Sequence, residues 1–110
     1  MKTVIEIEIQ NLYHFEKEYN FLTGHFPSEK AKNNAELILY ESKFKKYKAI
    51  IQIPIDTDYL AGEIEKLKKY IPQLLEIEKY EIVKKIENQI KKLQTTVIKA
   101  EEKIKLKNLN

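Results

Sequence analysis

Four branched residues set seven apart, Val83, Ile90, Val97 and Ile104, constrain this chain more than any other feature. Ile86, Leu93 and Ala100 follow the first three at a distance of three residues. Such a repeat lays one continuous apolar stripe along a helix. β-branched residues at its first core position and Leu-type or small residues at its second suit a two-stranded parallel coiled coil. An apolar stripe of this length has to be covered. Either a second copy packs along Val83, Ile86, Ile90, Leu93, Val97, Ala100 and Ile104, or the stripe lies on a sheet or on an earlier helix of the same chain. The sustained repeat favours the first arrangement and predicts a homodimer.

Upstream the periodicity changes. Ile5, Ile7 and Ile9 alternate with Glu6 and Glu8, the period of two that marks a strand with one buried face. Asn11 is placed to cap a helix over 12–23, in which Leu12, Phe15, Tyr19 and Leu22 recur at helical spacing and Gly24 supplies a left-handed stop. The polar stretch Glu29-Lys30-Ala31-Lys32 between Pro27-Ser28 and Asn33-Asn34 reads as a connection. Residues 36–40 and 49–53 read as the strands of a hairpin around a Lys-rich turn, and Pro54 belongs at the end of the second strand or on a sheet edge. Asp56, Thr57 and Asp58 then supply capping acceptors for a helix whose apolar positions are Leu60, Ile64, Leu67, Ile71 and Leu74. Pro72 either kinks that helix or opens the next one. The expected fold class is α+β: a small three-stranded antiparallel sheet with one helix after its first strand, followed by a long, coiled-coil-like helical half, kinked or folded as a hairpin. Residues 1–56 form the sheet-containing region and 57–110 the helical region, within one structural domain.

Several chemistries are excluded by what 110 residues of this composition lack. Without Cys there is no disulfide, thiolate metal site or thiol nucleophile. The two glycines stand apart, so no Gly-rich loop cradles a phosphate. All twenty basic residues are Lys, and the bidentate guanidinium fork that reads guanine edges is absent. No segment approaches the roughly 18 apolar residues of a membrane span, and carboxylates at positions 6 and 8 break up any signal-peptide core. A cytoplasmic protein without cofactor, metal or membrane attachment is expected.

His14, Glu18 and His25 lie near one another in sequence, but their spacing matches no metal motif, and Asp56 and Asp58 are better explained as capping residues than as cation ligands. Ser28 and Ser42 have no activating partner placed by sequence. No enzyme is expected. The more informative segment is Lys43-Phe44-Lys45-Lys46-Tyr47-Lys48, where ammonium groups suited to a phosphate backbone interleave with two stacking faces, the combination used on single-stranded nucleic acid. A second basic region is the C-terminal arm, where Lys91, Lys92, Lys99, Lys103, Lys105 and Lys107 face only Glu101 and Glu102. From these, Lys91, Lys92, Lys99 and Lys103 join the segment 43–48 as candidate contacts.

Small size, richness in Lys, Ile and Asn, and the lack of Arg point to a protein of an AT-rich phage or mobile element. The leading expectation is a non-enzymatic binding protein that inhibits or modulates a larger nucleic-acid-handling host complex, in the manner of anti-CRISPR proteins. Its partner is then a host protein or ribonucleoprotein, with single-stranded RNA as a further contact. A coiled-coil scaffold and a non-specific single-strand binder are the alternatives.

Overall fold

The computed structural model describes residues 1–108. The elements run β1 (Lys2–Glu8), α1 (Leu12–Thr23), α2 (Glu29–Lys45), β2 (Ile50–Asp56), α3 (Thr57–Glu76) and α4 (Tyr80–Asn108), so each strand is followed by two helices. Two compact units are formed, one from Val4–Ile55 and the other from Met1–Thr3 with the chain from Asp56 onward.

The sheet is an antiparallel pair, β1 beside β2. Ile9 N–H donates to the Ala49 carbonyl and Thr57 N–H to that of Met1, both at 2.9 Å. This register sets Ile5 opposite Ile53 and Ile7 opposite Ile51. Odd-numbered residues of both strands therefore share one face, where Ile5, Ile9, Ala49, Ile51, Ile53 and Ile55 are buried. Glu6, Glu8, Ile50 and Gln52 lie on the other face and are exposed. Pro54 falls at an even position, whose backbone N–H would point away from β1, so it removes no bond from the ladder.

The expected third strand does not exist. Residues 36–40 lie in the middle of α2, and the polar stretch 29–32 is its first turn, not a connection. Ser28 starts this helix: its Oγ accepts from Ala31 N–H at 3.1 Å and its carbonyl accepts from Lys32 N–H at 2.9 Å. No Gly or Pro interrupts the seventeen residues that follow. The contiguous run Leu37–Tyr40 concealed the helical period, because apolar residues stand on both faces of the helix. The inward face carries Ala31, Ala35, Ile38, Leu39 and Ser42 at helical spacing. Ala35 packs with Ile9, Phe15, Ala49 and Ile51 in the core of this unit, while the buried Ser42 hydroxyl donates to the Leu39 carbonyl at 2.9 Å.

The helix expected over 12–23 is α1. The Asn11 side chain accepts from His14 N–H at 2.7 Å, and Gly24, at φ 82°, donates its N–H to the Asn20 carbonyl.

In the other unit the Asp56 side chain accepts from Asp58 N–H at 3.0 Å and starts α3. α3 continues through Pro72 to Glu76, so Pro72 neither ends it nor opens α4. The reversal comes at Ile77–Lys79. Lys79 N–H donates to the Leu74 carbonyl and Glu78 N–H to that of Leu75, with Glu78 left-handed at φ 59°, which is a Schellman turn built without glycine. The short link makes α3 and α4 antiparallel neighbours, and they pack along their length. Leu60 and Ile64 of α3 are buried, as are Val83, Ile90, Leu93, Thr96 and Ala100 of α4.

Candidate nucleic-acid interface

The segment Lys43–Lys48 is the C-terminal end of α2 and its exit toward β2, not the tip of a hairpin. Lys43 and Lys45 occupy the last turn, where cations complement the free carbonyls of the helix end. Lys46 takes the left-handed conformation at φ 58°, and Tyr47 N–H closes the turn on the Ser42 carbonyl at 3.0 Å. Lys48 reaches Glu8 at 3.8 Å. Lys43 has no carboxylate partner among the described residues.

Phe44 does not fold back onto the core; it is 77% exposed. Tyr40, one turn earlier, is 71% exposed and Leu37 55%. Spacings of three and four residues align these side chains as one stripe on the outer face of α2. Tyr47 is half-exposed, its hydroxyl 3.5 Å from Glu41 Oε2. A strand over 36–40 would not align Leu37 and Tyr40 with Phe44; the helix does. Their offset from Phe44, counted from a helix capped at Ser28, is the signal that identifies them.

Next to this end of α2 lies a cleft of about 660 Å³ in the same unit. Ile9, Leu39 and Ala49 contribute its apolar lining, and Lys43, Tyr47, Lys48 and Glu8 its polar lining. Gln10 and Asn11, from the link between β1 and α1, complete the wall.

The lysines of the C-terminal arm are spread along α4. Lys91, Lys92, Lys99 and Lys103 are exposed on α4, which belongs to the other unit from the segment 43–48. Lys91 instead lines a groove of about 540 Å³ with Lys68, Lys84 and Glu87. Of the heptad residues, Val83, Ile90, Leu93 and Ala100 are buried and Ile86, Val97 and Ile104 half-buried within a single chain.

His14 Nδ1 accepts from Gln10 N–H at 3.1 Å, and its Nε2 is 3.8 Å from Glu18 Oε1. His25 packs edge-on to Tyr19. Among the described residues no group of His, Asp and Glu is arranged to hold a metal ion, and no helix is long and apolar enough to cross a membrane. Comparison with protein-family models finds no match, and neither does comparison with curated proteins or with solved structures.

Proposed function

We propose that this is a non-enzymatic binding protein that grips a single strand of nucleic acid with the C-terminal end of α2, and thereby modulates a larger nucleic-acid-handling complex of a host cell. The supporting observation is the exposure of Phe44 and Tyr40 beside Lys43, Lys45, Lys46 and Lys48. Large aromatic side chains left in water on a helix with ammonium groups around them offer stacking faces and phosphate contacts together. Four engaged lysines predict a slope of about −3 for the logarithm of affinity against that of salt concentration on a single strand.

The test is a fluorescence-anisotropy titration with a labelled single-stranded RNA at several salt concentrations. Lys45→Glu with Lys46→Glu should weaken binding and flatten the slope by about 1.4. Tyr40→Ala with Phe44→Ala should weaken it about tenfold or more at unchanged slope, because stacking releases no counterions. A parent that does not bind at low salt, or aromatic variants that bind as the parent does, would overturn the reading. Leu37 carries the apolar stripe beyond the lysines, and this favours a second reading in which a partner protein receives the face of α2. Association with a protein that is insensitive to salt and lost on Leu37→Asp would mark that case.

A further inference from the structure

We infer that the cleft beside α2 is a nucleotide subsite that takes one unstacked base of the bound strand together with its 5′-phosphate. The inference rests on the single-strand reading and names the part of the ligand that is held most closely. Three observations carry it. The cleft, at about 660 Å³, falls within the roughly 300–1,000 Å³ of small-ligand sites. Its lining is divided between apolar groups of Ile9, Leu39 and Ala49 and polar groups of Lys43, Tyr47, Lys48 and Glu8, the division a base and a phosphate require. It also shares Lys43, Tyr47 and Lys48 with the exposed lysine–aromatic segment, so a strand lying along that segment already touches the cleft.

Charge decides which part of a nucleotide enters. Lys48 is matched by Glu8 at 3.8 Å, leaving Lys43 as the ammonium without a carboxylate partner among the described residues. The lining thus carries one net positive charge, enough to attract a phosphate at the edge and too little to hold one without the added contacts of the base. Glu8 repels a phosphate and accepts hydrogen bonds from a base amino group or a ribose hydroxyl. Tyr47 supplies a π-face whose stacking tolerates any base. The fitting ligand is therefore a nucleoside 5′-monophosphate unit. Inorganic phosphate alone does not satisfy the site.

The experiment is a titration of the ¹⁵N-labelled full chain, followed by amide chemical shifts, with uridine 5′-monophosphate, adenosine 5′-monophosphate and, separately, inorganic phosphate. Saturable shifts at Gln10, Asn11, Lys48 and Ala49 are expected with both nucleotides and not with phosphate at equal concentration. Tyr47→Ala should weaken nucleotide binding about tenfold, while Tyr47→Phe, which keeps the ring, should bind as the parent does. Equal responses to nucleotide and phosphate, no saturable shift at these amides, or an unchanged midpoint in a folded Tyr47→Ala chain would overturn the inference. The two readings fail separately. RNA binding that depends on Phe44 without any mononucleotide response removes the subsite alone. A mononucleotide response in the cleft of a chain that does not bind RNA removes the strand reading alone.

Discussion

Leu93→Ala tests whether the heptad stripe is the core of the α3–α4 pair. Leu93 is 1% exposed, and Ile90, Thr96 and Ala100 of the same helix are buried near it in sequence. Truncation removes three carbons, about 2.4 kcal/mol at 0.8 kcal/mol for each buried carbon. The cavity left behind raises the expected loss to about 3–4 kcal/mol. A domain of this size loses roughly 4–8 °C of Tm per kcal/mol, so melting should fall by about 12–30 °C. Far-UV circular dichroism follows the melt, and urea unfolding gives the free energy through a lower midpoint at unchanged slope. Ile98→Ala, on the exposed side of the same helix, should stay within about 0.5 kcal/mol of the parent. Because the stripe is covered within one chain, the parent Tm should not move across about a hundredfold range of protein concentration. A loss below about 1 kcal/mol at Leu93, or a Tm that climbs with concentration beside a dimer in sedimentation, would refute the reasoning.

Burial, helped by the Glu63 carboxylate and opposed by Lys66, raises the Tyr59 hydroxyl above its ordinary value of 10.0. The folded chain then holds that proton more tightly than the unfolded one, so its stabilisation is complete below pH 10 and is lost as pH rises through the raised value. Spectrophotometric titration should show one of the seven tyrosines ionising late, and Tyr59→Phe should remove both this step and its share of the alkaline loss of stability; simultaneous ionisation of all seven would contradict this. Ser28→Ala leaves Ala31 N–H without its 3.1 Å acceptor and should cost about 1 kcal/mol in urea unfolding, with Ser28→Asp close to neutral.

The elements legible in the sequence are those whose signals agree with one another. Asn11, the spacing of Leu12, Phe15, Tyr19 and Leu22, and Gly24 all specify α1, and each of these residues acts as its type suggests. β1 is legible for the same reason: its alternation has no competing period. α2 misleads because two faces are apolar for different reasons. Ala31, Ala35 and Leu39 face the core while Leu37, Tyr40 and Phe44 face water, and the sum is a run with no visible period. The heptad stripe reads correctly as something that must be covered. What covers it is decided by a turn at Glu78 that no glycine announces. The lysines and aromatics of 43–48 are legible as a chemical combination, whereas the cleft is not, since Glu8 and Gln10 reach it only through the pairing of β1 with β2.

That pairing also governs which changes of length the chain tolerates. Odd positions of both strands point one way, so the sheet depends on parity as much as on composition. Inserting or deleting one residue within β1 would exchange Ile7 and Ile9 with Glu6 and Glu8, turning carboxylates inward and isoleucines outward along the rest of the strand. A two-residue change restores the faces and shifts the register without inverting it. The links at 24–28 and 77–79 carry no such parity, so a single-residue change of length there leaves the two faces of the sheet as they are.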